Sequence, residues 1–322
     1  MRAIRFAKTG GPEVLESVEI ETPTPGPGQI LIRHQAIGIN FIETYQRTGL
    51  YPVKLPAIPG GEAAGVVEAL GEGVTRFKPG DRVATTNAGG AYAEASLVRA
   101  DRAVAIPDAI STEVAAAILL KGMTTEAFVR RAYAVKAGEI VLVHAAVGGV
   151  GQIMTQWLKA IGATVIATVG SEAKAAKARA LGADHVILYR EQDVAAEVRR
   201  ITGGAGVPVA YDSVGKDTFE GTLGSLARRG LFVSFGNASG AVPPFAPGRL
   251  AAGGSLYLTR PTLFDYIVTT EELDESAALV FGMVASGKIN IEIGQTFALS
   301  DARKAHEALE SRATVGASLL LP

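Results

Sequence analysis

The segment His144-Ala-Ala-Val-Gly-Gly-Val-Gly-Gln152 carries glycines at a spacing suited to one kind of chemistry, the gripping of phosphate. It follows the apolar run Ile140–Val143 and precedes a helix-like pattern over Val150–Ile161, so it reads as strand, glycine turn, helix. Within it, Ala146-x-Gly148-x-x-Gly151 is a variant of the dinucleotide fingerprint with alanine in first place, and Gly149 and Val150 complete the turn. Gly148 lets the backbone approach a pyrophosphate, and Gly151 lets the helix pack close to its strand. The first N–H groups of the helix, at the positive end of its dipole, then face the phosphates. A glycine pattern alone also suits a tight turn with no ligand, and the residues downstream bear on that choice.

A dinucleotide fold declares its cofactor about twenty residues further on, where NAD binders place an Asp or Glu against the ribose hydroxyl. Here the second strand ends Thr168-Val-Gly170-Ser171-Glu172-Ala-Lys174, and the position holds Gly170-Ser171 without a carboxylate. Ser171 as a helix cap and Lys174 in the first turn suit a dianionic 2′-phosphate, which points to NADPH. A capped helix with a solvated lysine is the plainer alternative, and Glu172 favours it slightly. Tyr189 ends the third strand on the same carboxyl edge, placed to flank an adenine, bond a phosphate, or simply edge the core. Phe235-Gly236-Asn237, after Ser234, closes the fifth strand and suits either a nicotinamide or a glycine turn.

These residues need a scaffold, and the chain is long enough to supply one. At 322 residues it is expected to form two domains. Hydrophobic residues are 48%, and the net charge of −1 offers no basic surface for nucleic acid or an anionic membrane. The chain has no cysteine, which removes disulfides, thiolate nucleophiles and cysteine–zinc sites together. No signal-like segment and no long apolar run are visible, so a cytoplasmic protein is expected.

The first ~120 residues read as short strands and turns, among them Arg2–Ala7, Ile30–Ile39, Arg82–Thr85 and Tyr92–Val98, an antiparallel barrel-like domain. From Ser111 helical periodicity appears in Val114–Leu120 and Thr125–Tyr133; strands and helices then alternate as far as Ser255–Leu258. That alternation implies a doubly wound parallel sheet with its crevice at the carboxyl ends of the strands. Beyond Arg260 come two helices, Glu271–Ser286 and Ser300–Ser311, and a strand, Ala317–Leu321. This tail is too small for its own core and is expected to return to the first domain. The expected division is 1–121 and 260–322 for one domain, with 122–259 inserted.

With these residues in view, the whole chain resembles the quinone oxidoreductases, the zinc-independent zeta-crystallin branch of the medium-chain dehydrogenase/reductase superfamily. The resemblance rests on Gly11-Pro-Glu-Val-Leu15, Ala36-Ile-Gly-Ile-Asn-Phe-Ile-Glu-Thr-Tyr45, Gly61-Glu-Ala-Ala-Gly65, Lys78-Pro-Gly-Asp-Arg-Val83, the glycine turn, Tyr211-Asp-Ser-Val-Gly215, Ser234-Phe-Gly-Asn-Ala-Ser-Gly240 and Glu310-Ser-Arg-Ala-Thr-Val-Gly316. It implies a GroES-like catalytic domain built from both chain ends around a Rossmann domain. It implies that Asn40, Tyr45 and Tyr51 line a cleft facing the nicotinamide. It also matches Lys174, Tyr189 and Arg312 to positions that grip the 2′-phosphate. Zinc dehydrogenases of the superfamily carry Cys and His ligands where this chain has Gly38-Ile39-Asn40 and Pro59-Gly60-Gly61-Glu62. Asn40 stands near the cysteine place and Gly61 replaces the histidine, so no metal is expected. His34, His144, His185 and His306 share no ligand spacing and read as ordinary core or surface residues.

Without a Lewis acid the enzyme's task is mostly positioning, which suits a quinone, an acceptor already electron-poor. The leading expectation is hydride transfer from NADPH to a quinone, with Asn40 and Tyr45 orienting the acceptor oxygen and water or Tyr45 supplying the proton. Reduction of α,β-unsaturated aldehydes or ketones is the enzymatic alternative, and a crystallin-like structural or RNA-binding role the alternative from another class. A homodimer is expected through the apolar edge strand Ser255–Thr259.

Overall fold

The computed structural model describes residues 1–311 and 314–322. Two compact units result, Met1–Met123 with Ile267–Pro322, and Thr124–Tyr266. The sequence reading set the junctions at 121/122 and 259/260. Helical periodicity suggested separate segments at 114–120 and 125–133, but one helix, Thr112–Glu126, runs through the first junction into a π-helical turn, Ala127–Ala132. At the second, the ring of Tyr266 packs edge-on to Phe128 with centroids 6.2 Å apart, which carries the inserted unit past residue 259.

The first unit begins with β1 (Arg2–Arg5) and β2 (Glu16–Glu19), which form a two-stranded sheet, followed by β3 (Gln29–Gly38) and α1 (Phe41–Thr48). Then come β4 (Ala63–Leu70), β5 (Arg82–Thr85), β6 (Ala95–Arg99), β7 (Ala103–Ala105) and α2 (Thr112–Glu126). The inserted unit contains β8 (Ile140–Val143), α3 (Gly149–Ile161), β9 (Thr164–Val169), α4 (Glu172–Ala180), β10 (His185–Leu188), α5 (Val194–Ile201) and β11 (Val207–Asp212). It continues with α6 (Phe219–Ser225), β12 (Leu226–Ser234), α7 (Gly248–Ala252) and β13 (Tyr257–Thr259). The tail returns with α8 (Thr270–Ala285), β14 (Ile293–Ala298), α9 (Ala302–Glu310) and β15 (Ala317–Leu321).

In the first unit the sheet runs β14-β15-β3-β4-β5-β7, with β6 also pairing β3. β15 lies between β14, to which it is parallel, and β3, to which it is antiparallel through Leu319↔Gly38 and Leu320↔Ile37. The sequence reading did not find β14, whose residues alternate between half-buried and exposed and so give no apolar run. The core joins residues from both chain segments, including Phe6, Ile32, Val67, Tyr92, Leu299, Leu309 and Leu320. At roughly 1.5–3 kcal/mol for each fully buried large apolar side chain, these contacts hold the tail to the rest of its unit.

The inserted unit is a parallel sheet in the order β10-β9-β8-β11-β12-β13. Counted along the chain that order is third, second, first, fourth, fifth, sixth, the dinucleotide-binding arrangement, and it reverses between β8 and β11. Leu142, Ile166, Ile187, Ala210 and Phe232 from five strands meet Val198 and Phe219 from the covering helices. No described helix is long and apolar enough to cross a membrane.

Candidate active site and cofactor site

The glycine turn leaves β8 at Val143 and enters α3 at Gly149, beside the point where the strand order reverses. Ala145 adopts the left-handed region, φ 50°, and its carbonyl accepts from Gly148 N at 2.9 Å. A Cβ on Gly151 would lie 2.2 Å from that same carbonyl oxygen and 2.8 Å from Ala146 Cα, so only glycine lets the helix sit this close. Gly148 is the helix cap and has no side chain, and the amides of the first turn are left to whatever approaches them.

A buried polar chain ties the turn to its neighbouring strands. His144 Nδ1 lies 2.9 Å from Thr168 Oγ1, and His144 Nε2 lies 2.9 Å from Thr222 Oγ1. The Thr222 hydroxyl also lies 3.0 Å from Asp212 Oδ2 and 2.8 Å from Thr218 O, and a proton given to either leaves His144 Nε2 as the donor to Thr222 and Nδ1 as the acceptor from Thr168. Burial pushes His144 down from its ordinary value, against the pull of the Asp212 charge. Asp212 also accepts from Val214 N, Gly215 N and Thr218 Oγ1. The sequence reading took His144 as an ordinary core or surface histidine and met Asp212 only inside the motif Tyr211-Asp-Ser-Val-Gly215, and it did not connect the two. The one available signal was a histidine and an aspartate ending two strands of a parallel sheet.

Ser171 stands at the cap of α4, yet its side chain makes no capping hydrogen bond, contrary to the expected cap. The first-turn amides of α4 and the exposed hydroxyl of Ser171 therefore face outward together, with half-buried Lys174 in the same turn. Tyr189 N bonds Val169 O at 3.2 Å, and the Tyr189 hydroxyl would lie 3.1 Å from a Cβ on Gly170. Gly170, Ser171, Lys174 and Tyr189 are thus brought to one corner. Arg190, missed from sequence, joins them, with its guanidinium 6.0 Å from the Tyr189 ring and its Nε 3.4 Å from a Cβ on Gly170. Arg312 lies outside the described residues.

Phe235-Gly236-Asn237 follows β12. Phe235 N bonds Asp212 O at 2.8 Å, and its ring meets Phe128 at 5.3 Å. A Cβ on Gly236 would lie 2.2 Å from Ser213 O. Arg260, a second residue that sequence reading passed over, donates to Gly236 O at 3.0 Å and Ser234 Oγ at 3.2 Å, and so braces this turn.

In the other unit, Asn40 caps α1, and Tyr45 lies within that helix. Tyr51 returns beneath it: Tyr51 N bonds Tyr45 O at 3.0 Å, and the two rings meet edge to face at 5.2 Å. The nitrogen of the Asn40 amide is engaged within the unit. Its Nδ2 donates to Glu62 Oε2 at 2.9 Å, and Glu62 is ion-paired to Lys121 at 2.9 Å, both side chains being buried. Asn40 N is held by Glu43 Oε2 at 2.6 Å. Neither Glu43 nor Lys121 was given a role from sequence, because nothing in the spacing of a single charged residue names its buried partner.

Zinc is tested by the same residues. Asn40, near the expected cysteine place, and Gly61, at the expected histidine place, offer no thiolate or imidazole, and the ammonium of Lys121 already neutralises the Glu62 carboxylate. No described group of His, Cys, Asp or Glu could hold a metal. These residues do not fit a zinc ion. His34 bonds Ala93 O and Ser96 Oγ, and His306 meets the Tyr92 hydroxyl, all of them buried structural contacts.

Residues 26–108 match the family model of the alcohol dehydrogenase GroES-like domain, and 149–281 that of the zinc-binding dehydrogenase. A quinone oxidoreductase of Salmonella typhimurium is 53% identical over 99% of this chain and 99% of its own. The chain belongs to the quinone oxidoreductase family. The crystal structure of Escherichia coli quinone oxidoreductase complexed with NADPH superposes with a TM-score of 0.99, at 50% identity and 100% coverage of both chains. A 2-haloacrylate reductase of a Burkholderia species is 42% identical over 98% of this chain and 97% of its own.

Proposed function

We infer that this member of the family is an NADPH-dependent quinone oxidoreductase. The observation that carries the reading is the Asn40–Glu62–Lys121 network, standing where zinc dehydrogenases hold their ligands. A site built without metal ligands suits an acceptor that is already electrophilic, and a quinone meets that need. The identity of over half with a named quinone oxidoreductase across the full chain supports it.

NADPH, when bound, supplies the hydride. Gly149, Val150 and Gly151, in the first turn of α3, present backbone N–H groups to its pyrophosphate, and Ala146 and Gly148 shape the turn that leads to them. Gly170 and Ser171 leave room for the 2′-phosphate, with Lys174, Tyr189, Arg190 and Arg312 as its donors. Phe235, Gly236 and Asn237 lie along the nicotinamide. The unit holding both chain ends serves as the catalytic domain and the inserted one as the NADP-binding domain. Tyr45 and Tyr51 form an aromatic wall that excludes water from the acceptor, and Asn40 orients its oxygen. Water or the Tyr45 hydroxyl delivers the proton. The enzyme works in the cytosol as a homodimer joined through the edge at β13.

Similarity to a 2-haloacrylate reductase keeps a second reading alive, hydride delivery to an activated carbon–carbon double bond. NADPH oxidation followed across a panel of quinones and enones, with semiquinone detected by spin resonance, decides between them. Quinones are expected to be the faster substrates, and Tyr45→Phe to change acceptor use more than NADPH affinity. Enones outrunning every quinone by about tenfold, a difference of ~1.4 kcal/mol in barrier, would overturn the first reading.

A further inference from the structure

We propose that Glu62 is a positioning residue for Asn40, fixing which end of the Asn40 amide the acceptor meets. The inference rests on the reading of Asn40 as an acceptor-site residue. Glu62 is fully buried just before β4. Its Oε2 accepts from Asn40 Nδ2 and Lys121 Nζ, each at 2.9 Å, and its Oε1 accepts from Leu120 N at 2.7 Å. The space is shaped for this carboxylate. A Cβ on Gly38 would lie 2.2 Å from Glu62 Oε2 and 2.6 Å from Ala116 O, so the end of β3 is bare where the carboxylate rests.

A carboxylate only accepts hydrogen bonds. Asn40 must therefore turn its nitrogen toward Glu62 and its oxygen away. The reversed amide would set two oxygens against each other where water does not screen them. The carbonyl oxygen turns instead to the backbone N–H of Glu43 in the capping box of α1. The acceptor thus meets the one N–H that Glu62 does not use, and that N–H suits a quinone oxygen. The backbone of Asn40 has a separate anchor, Glu43 Oε2 at 2.6 Å from Asn40 N. Loss of the Glu62 charge therefore loosens the nitrogen end of the amide, while the capping box with Glu43 keeps the start of α1 in place. Glutamine at 62 carries both donor and acceptor, and so accommodates either orientation of Asn40.

The test is a double-mutant cycle on the full-length enzyme with NADPH and a water-soluble benzoquinone. Glu62→Gln should lower kcat/KM for the quinone by about tenfold or more, the scale of one lost hydrogen bond to a charged group, with NADPH affinity within twofold of the parent. In an Asn40→Ala background the same substitution should cost less than about twofold, because the amide it positions is gone. An equal loss in both backgrounds, or no loss in the parent, overturns the role of Glu62 while leaving Asn40 in the acceptor site. An Asn40→Ala enzyme with unchanged acceptor kinetics overturns the acceptor-site reading and this inference with it. Should Glu62→Gln fail to fold, Glu62→Asp takes its place, keeping the charge but drawing it back by one methylene, and the same outcomes decide.

Discussion

At the scale of single residues, burial has moved several protons, and the consequences can be measured. Loss of water pushes Glu43 up to about 8 from 4.5, against the pull of the Asn40 N–H and of Lys121. Between those two values the folded chain keeps a proton that the unfolded chain has released, so stability falls as pH rises through the window. His34 and His306 act in the opposite sense. Burial lowers them from 6.5 to about 4 and about 3, so the unfolded chain takes up protons that the folded one refuses, and stability falls as pH drops below 6.5. Between pH 6.5 and 8 the decline therefore belongs to Glu43. Glu43→Gln should flatten the fall of the urea midpoint across that range and raise the midpoint at pH 8; an unchanged slope refutes the assignment. Cofactor choice also lies at this scale. Lys174→Glu sets a negative charge among Ser171, Tyr189 and Arg190, and should weaken NADPH binding by about tenfold or more while leaving NADH nearly unchanged. Equal losses for both cofactors in a fluorescence titration would remove Lys174 from the phosphate corner.

At the scale of elements, the glycine turn offers the sharpest test. Gly151→Ala drives a methyl against the carbonyl of Ala145, with backbone on both sides and no flexible side chain to yield. We expect it to lose NADPH binding, seen as loss of the cofactor's thermal stabilisation, and to cost 1–3 kcal/mol or more of stability, the usual range for overpacking. A variant with parental melting and NADPH affinity would show that the helix can withdraw at little cost. The same turn shows why this part of the chain was legible. Its strands are continuous apolar runs and its helices are periodic, so β8, β9, β11 and β12 announce themselves, and the glycines mark where the backbone must approach a neighbour or a ligand. The polar interior announced nothing. His144, Thr168 and Asp212 lie far apart in sequence and come together because parallel strands end side by side, with Thr222 of α6 packed over them. Glu62 and Lys121 are 59 residues apart and pair across the first unit. A buried charge looks like a surface charge until its partner is known, and spacing does not supply the partner. Arg190 and Arg260 were missed for the same reason, since an arginine after a strand is ordinarily solvated.

At the scale of the whole molecule, β13 is the outermost strand of the parallel sheet, and Tyr257 on it is 60% exposed. An apolar strand edge of this kind either pairs or invites uncontrolled pairing. Multi-angle light scattering should give twice the 33.3 kDa chain mass, and Tyr257→Asp should shift the protein toward the monomer; a parental species of single-chain mass rules the dimer out. The placement of β15 has a different kind of consequence, one that concerns synthesis. The inserted unit is continuous in sequence, Thr124–Tyr266, and every strand of its sheet has emerged before the tail is made. The first unit is not in that position. Its central strand β3 gains one of its neighbours only when residues 317–321 arrive, nearly the whole chain later. On the ribosome the order of birth is thus the reverse of the order of completion: the half made first is finished last, and until then it waits with the Ile37–Gly38 end of β3 lacking its β15 partner.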